Sequence, residues 1–186
     1  MQKLLLHTCC APCSIAIVDE MKSKYDLTVF FYNPNIHPEE EYIKRKKEVV
    51  RVCEDWGVSM IDMDYDTDSW YKAVKGLESE PEMGARCTKC FALRLEKSAQ
   101  YAKDNEFEIY STSLTSGRNK KQDIIGPLGI HFAKKYGIEY LDEDWKKKGR
   151  QEKGIEICKI KDVYRQDYCG CIYSRTHRAS VFSDKL

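Results

Sequence analysis

The sequence predicts an α/β protein built on a doubly wound, mostly parallel sheet of about five strands, and three observations carry that expectation. Short apolar runs alternate with longer segments of helical periodicity along the 186-residue chain. The breaks between them fall at turn residues, as at Asn33-Pro34-Asn35 and Gly57. Seven of the nine cysteines form three tight groups, and the first group follows directly on the first apolar run. Doubly wound sheets place their ligands there, outside the carboxyl ends of the strands.

Residues 3–8 hold Leu4-Leu5-Leu6 and read as a buried strand ending in a Cys-rich turn. Residues 14–24 carry Ile15, Val18 and Met21 at helical spacing, and 27–32 form a second strand stopped by the Asn-Pro-Asn turn. The long helical pattern over 39–56 places Tyr42, Lys46, Val49, Cys53 and Trp56 three or four apart, and Gly57 ends it as a C-cap would. A third strand is expected over 59–64, and 66–82 reads as irregular or briefly helical. Phe91, Leu95, Ala99 and Ala102 line one side of a helix over 91–103, preceded by the pair Cys87 and Cys90. Residues 107–113 are the fourth strand, and Thr115-Ser116-Gly117 turns the chain into a basic segment. Gly126-Pro127 starts or kinks a helix closed by Gly137, a brief fifth strand spans 138–141, and 145–165 carries a weak helical signal. The chain then reaches Cys169-Gly170-Cys171, so residues 1–186 read as a single α/β domain whose last cysteines complete a site begun near residue 9.

Bulk properties narrow the class. A chain of this length buries roughly 70% of its unfolded surface and needs no disulfide framework. Nine cysteines is an odd count, and no apolar run approaches a membrane span or a signal peptide. A cytoplasmic protein with reduced thiols is the expectation, in which paired cysteines read as metal ligands or redox groups. The net charge of +1 gives the whole molecule no strong pull on nucleic acid, although Lys44-Arg45-Lys46-Lys47, Arg118-Asn119-Lys120-Lys121 and 146–150 are locally basic.

Each cysteine group has its own chemistry. Cys9, Cys10 and Cys13 place three sulfurs at a strand-to-helix turn, where the helix amino terminus favours a thiolate. The C-x-x-C at 87–90 has the spacing of half a zinc or iron–sulfur site, and Gly170 lets Cys169 and Cys171 converge on one centre. Seven ligands exceed what one zinc or one cluster needs, and no zinc-finger spacing is present, so iron–sulfur is favoured over zinc. Cys53 and Cys158 read as bystanders. His7, two residues before the first group, is a candidate for lining the site. Tyr164-Arg165-Gln166-Asp167-Tyr168 brings aromatic rings and a guanidinium to the last cysteine pair, which suits a base with phosphates nearby. Two alternatives stay open on the residues alone: a zinc-stabilised RNA-binding module without turnover, and a Cys10-x-x-Cys13 dithiol oxidoreductase. A nucleotide hydrolase suits the sheet, but no glycine-rich phosphate loop follows the first strand.

Taken together, Cys9-Cys10-x-Pro12-Cys13, the C-x-x-C at 87–90 and the run from Tyr164 to Cys171 resemble the QueH-type epoxyqueuosine reductases over nearly the whole chain. The resemblance implies a fold like the adenine nucleotide alpha hydrolases (HUP), with cysteines where a phosphate-binding turn would be. It implies the last step of queuosine biosynthesis, in which the epoxide of epoxyqueuosine at the wobble position of tRNA loses its oxygen and becomes an alkene. It further implies a [4Fe-4S] cluster, an additional iron ion and an electron donor of unidentified nature. On that basis Cys10, Cys90, Cys169 and Cys171 are assigned to the cluster, and Cys9, Cys13 and Cys87 to the extra metal. Tyr168, His7 and Asp167 are the proton-donor candidates. Tyr164, Arg165, Ser116, Arg118, Lys120, Lys121 and Arg175 are expected to contact substrate or tRNA backbone, with the 44–47 run, His177 and Arg178 as further phosphate contacts.

Overall fold

Leu4, Leu5 and Leu6 have no exposed surface, because β1 (Lys3–His7) is the middle strand of a five-stranded sheet. A strand covered on both faces reads as a continuous apolar run, and Leu4-Leu5-Leu6 supplies it between Lys3 and His7. The computed structural model describes residues 1–117 and 120–174. Within them the chain runs β1, α1 (Ala11–Met21), β2 (Asp26–Phe31), α2 (Glu39–Trp56), β3 (Ser59–Asp62), α3 (Thr67–Val74), α4 (Ala85–Asp104), β4 (Ile109–Thr112), a 3₁₀ turn (Ser113–Ser116), α5 (Gln122–Tyr136), β5 (Glu139–Tyr140) and α6 (Arg150–Ile160). The sheet order is β3-β2-β1-β4-β5 and every pairing is parallel. The order reverses at β1 and β4, so the loops leaving those two strands face one crevice, as the sequence predicts.

Two layers flank the sheet. Leu4 and Leu6 pack with Ile15 and Val18 of α1 and Val49 and Val52 of α2, while Leu5 and Phe30 pack with Leu95 and Ala99 of α4 and Phe132 of α5. The doubly wound expectation holds, and the brief helix inside 66–82 is α3. Several boundaries differ. Helix α1 starts at Ala11, with Cys10 as an extended N-cap and Pro12 in its first turn, where a missing N–H costs nothing. Helix α4 starts at Ala85, so Cys87 and Cys90 lie within it rather than before it. Arg86, Thr88 and Lys89 break the apolar stripe there, which makes this first stretch read as loop. Helix α5 begins at Gln122 and contains Pro127, and β5 is only two residues long. No helix among the described residues is long and apolar enough to cross a membrane.

Helix α6 is tied to α1 by charge. Arg150 donates through Nε to Glu20 at 2.7 Å and through NH1 to Glu143 at 3.1 Å. The Arg150 hydrogen bonds outweigh burial and, with Lys24, lower the Glu20 carboxyl from the usual glutamate range to about 2. A depressed carboxyl contributes stability that is full above its unfolded pKa of about 4.3 and is lost as pH falls through the folded value. Wild-type protein is therefore expected to melt above Glu20→Gln at neutral pH. The gap should close between about pH 4 and pH 2, as followed by thermal unfolding of the two proteins across that range. A gap that persists unchanged at the acid end would remove this ion pair as its cause.

Candidate metal centre

The first cysteine group sits where β1 gives way to α1. Cys10 is held extended by its N-cap position (φ −169°, ψ 153°), and α1 carries Cys13 one turn on. The sulfurs of Cys9, Cys10 and Cys13 all lie within 4.8 Å of one another. Cys10 and Cys13 are joined as a disulfide, so the trio becomes a set of three thiol donors after two-electron reduction. The loop after β4 closes over it: Ser116 Oγ donates to Cys13 O at 2.6 Å and Lys120 Nζ lies 3.8 Å from Cys9 Sγ. Burial alone would raise the Cys9 thiol, but Lys120, Arg94 and Arg45 outweigh it and hold the pKa below the ordinary thiol value. Gln166 Nε2 lies 2.8 Å from Cys10 Sγ and 3.6 Å from Cys13 Sγ.

The other four cysteines line one small cavity, together with Arg86 and Arg94. Cys87 and Cys90 are presented by the first two turns of α4, and Met83 N–H donates to Cys87 Sγ at 3.2 Å. Burial pushes the Cys87 thiol up. Cys169 and Cys171 flank Gly170, whose φ of +103° is left-handed backbone. A Cβ there would sit 2.9 Å from Ile36 Cγ1 and 3.2 Å from Arg45 NH1, so only glycine lets this segment lie against the 36–45 region. The Cys169 thiol is drawn well down by the Cys171 hydrogen bond, and that same bond, with burial, pushes Cys171 up. Cys87 and Cys13 border the same hydrophobic cluster that holds Cys9 and Cys10, and Lys120 and Cys169 line both this cavity and a neighbouring crevice, so the two sites adjoin.

That crevice, about 470 Å³, is bounded by Cys13, Ser116, Lys120, Arg165, Gln166, Asp167 and Tyr168 among others. Its outer wall is clamped to the fold through Arg45. The guanidinium donates to Cys169 O at 3.2 Å and Tyr168 O at 3.1 Å, and pairs with Glu41 at 2.6 Å. Tyr168 hydroxyl donates to His37 O, and His37 N–H donates to Gly170 O at 2.8 Å.

The residues singled out in the sequence fall in different places. Ser116, Lys120, Arg165, Asp167 and Tyr168 line the crevice. Tyr164 turns away to α2, donating its hydroxyl to Glu41 at 2.9 Å beneath Lys44, whose Nζ is 3.6 Å from the ring centroid. Lys121 is the exposed N-cap of α5 and lines none of these cavities. Arg118, Arg175, His177 and Arg178 lie outside the described residues. His7 is sealed in the sheet, with Nδ1 2.8 Å from Thr112 Oγ1 and Nε2 3.2 Å from Tyr32 O. Burial, chiefly, and then Arg94 push it down to about 3, a neutral ring that locks β1 to β4. In the 44–47 run Arg45 is buried and Lys46 pairs with Asp62 at 2.9 Å, so this run is largely spent on the fold. Cys53 is core, as the sequence suggests; Cys158 is buried but borders the crevice. Sequence reasoning missed Gln166, Arg86 and Arg94. The signal was adjacency: Arg86 precedes Cys87, and Arg94 lies one helical turn beyond Cys90.

Comparison with known proteins bears on the whole of this arrangement. A family model described as epoxyqueuosine reductase QueH matches residues 4–177. The chain is similar to epoxyqueuosine reductase QueH of Acinetobacter baylyi, at 48% identity over 174 residues, covering 92% of this chain and 80% of that one. It is 45% identical to the Haemophilus influenzae protein of the same name over 92% of this chain and 71% of that one. The Thermotoga maritima protein is 34% identical over 96% and 93%. Among solved structures, U34-tRNA thiolase NcsA from Methanococcus maripaludis with its [4Fe-4S] cluster aligns with a TM-score of 0.56 at 9% identity. That alignment covers 98% of this chain and 66% of the other, a likeness of fold.

Proposed function

The chain belongs to the QueH family of epoxyqueuosine reductases, and we propose that its seven clustered cysteines hold the metal centre at which that reduction takes place. The enzyme is an oxidoreductase of queuosine biosynthesis, and the zinc-module and dithiol alternatives are not favoured. Removing an epoxide oxygen as water and leaving an alkene consumes two electrons and two protons, so the protein must store reducing equivalents beside the nucleoside. The observation that carries the reading is that two adjoining cavities, which share Lys120 and Cys169 in their walls, bring together members of three sequence-distant cysteine groups.

The donor chemistry fits two thiolate-bound groups. Sulfurs on one tetrahedral ion lie about 3.8 Å apart; those of Cys9 and Cys10 are 3.8 Å apart, and reduction of the Cys10–Cys13 disulfide would free the third. The four sulfurs of Cys87, Cys90, Cys169 and Cys171 instead surround a cavity, as suits a larger four-thiolate group. We therefore assign the last four to a [4Fe-4S] cluster and the trio to an additional iron ion. This exchanges Cys10 and Cys87 relative to the division drawn from the sequence. When bound, the cluster supplies electrons singly and the ion acts as a Lewis acid.

The chain's own groups have separate tasks. Asp167 and Tyr168 border the crevice; we assign Asp167 to proton relay and Tyr168, with its hydroxyl on His37 O, to positioning. Lys120, Arg165 and Ser116 face the same space and are assigned to the nucleoside and its flanking phosphates. Lys121, exposed beside them, is assigned to the tRNA backbone. The partner is tRNA carrying epoxyqueuosine at the wobble position, in the cytoplasm, with an external electron donor. The reading is tested by iron, zinc and acid-labile sulfide analysis after anaerobic purification, followed by reduction of epoxyqueuosine in tRNA. Iron and sulfide together with formation of queuosine are expected; zinc without sulfide would overturn it.

A further inference from the structure

Arg86 and Arg94 are among the most deeply buried side chains, 1% and 2% exposed, and both line the four-cysteine cavity. A guanidinium removed from water is costly unless a negative charge faces it. The other buried arginines obey that rule: Arg45 has Glu41, and Arg150 has Glu20 and Glu143. Among the described residues neither Arg86 nor Arg94 forms an ion pair, although Glu82 lines the same cavity. Arg86 gives NH1 to the carbonyls of Leu77, Glu78 and Glu80, while its Nε and NH2 are buried without a hydrogen-bond partner. Arg94 gives Nε to Cys90 O at 3.3 Å and NH1 to Asn33 Oδ1 at 3.4 Å, both neutral acceptors. Two buried guanidiniums therefore stand beside four sulfurs, on the same helix as two of them, and Lys120 adds a third positive charge to the cavity wall.

A four-thiolate iron–sulfur cluster is an anion in either oxidation state, and more so once reduced. We infer that Arg86 and Arg94 are the counter-charges of this cluster, positioning residues that favour its reduced form and so set the potential at which the enzyme accepts electrons. The inference rests on the iron–sulfur reading above. A fixed positive charge in a water-poor cavity acts more strongly on the added electron than it would in solvent. Arg86 brings the stronger case, because among the described residues two of its buried donors have no hydrogen-bond acceptor and, apart from the NH1 bonds, its guanidinium meets only the Tyr173 ring, 5.2 Å from the centroid.

The test is a redox titration of the anaerobically purified, cluster-loaded full chain, followed by electron paramagnetic resonance, with iron and sulfide counted in each sample. Arg94→Gln and Arg86→Gln are each expected to disfavour the reduced cluster at least about tenfold, a midpoint more negative by about 59 mV for a one-electron couple. Arg94→Lys keeps the charge and is expected to move the midpoint less than Arg94→Gln. Arg86 also fastens residues 77–80, so if Arg86→Gln fails to fold, the Arg94 pair decides. Glutamine variants that keep full iron and sulfide with the wild-type midpoint would overturn the inference. Wild-type protein without iron and sulfide would overturn the iron–sulfur reading itself.

Discussion

Cys90→Ser is expected to leave the protein without its iron–sulfur centre and to lower epoxide reduction at least about 100-fold, the upper end of what is lost when a mere supporting partner of a ligand is removed. Cys90 is buried on α4, against Trp70, Val74 and Cys171. Serine keeps the volume nearly unchanged, so packing is preserved while the soft sulfur donor is replaced by an oxygen poorly suited to iron–sulfur ligation. Cys53→Ala is the matched control. Its thiol is pushed up to about 12, first by burial and then by Glu54, and it sits in the core on the opposite side of the sheet from α4. That variant is expected to lose some thermal stability and to retain iron, sulfide and turnover. Iron and sulfide analysis beside a tRNA reduction assay measures both; full metal content in Cys90→Ser would remove Cys90 from the ligand set.

The switch point of the sheet was legible because its signals are local. Leu4, Leu5 and Leu6 announce a strand buried on both faces, and the neighbouring thiols sit where such a strand must end. The shared crevice is a consequence of strand order alone, and the Ser116 bond to Cys13 O closes it. Charge was harder to read. Arg45, Arg86 and Arg94 look in sequence like solvated helix positions, since nothing local distinguishes a buried guanidinium from an exposed one. Apart from Glu41 and Cys90 O on their own helices, their acceptors are oxygens from other segments: Tyr168 O and Cys169 O for Arg45, the 77–80 carbonyls for Arg86 and Asn33 Oδ1 for Arg94. The start of α4 was hidden for a related reason: Arg86, Thr88 and Lys89 interrupt its apolar face, though Arg86 is buried. His7 poses the reverse problem. Its place two residues before Cys9 suggests chemistry, while its hydrogen bonds to Thr112 and Tyr32 serve the sheet.

Arg45→Ala is expected to cost about 3 kcal/mol of folding stability, the lower end of the penalty for removing one partner of a buried ion pair, and to release the last cysteine pair. The side chain is 2% exposed and that of its partner Glu41 is 12% exposed, so truncation leaves a largely desolvated carboxylate. It also removes both donors to Tyr168 O and Cys169 O, freeing the backbone that carries Cys169, Gly170 and Cys171. Those two losses separate in Arg45→Lys. A lysine keeps a positive charge near Glu41 but lacks the planar fork needed to serve two carbonyls and a carboxylate at once. It should therefore recover much of the stability and little of the metal site. Urea unfolding reads the first quantity, and iron and sulfide retention during anaerobic dialysis reads the second. If lysine restored both alike, charge alone would account for Arg45. If neither variant lost iron, the clamp between α2 and the Cys-Gly-Cys segment would be irrelevant to holding the cluster.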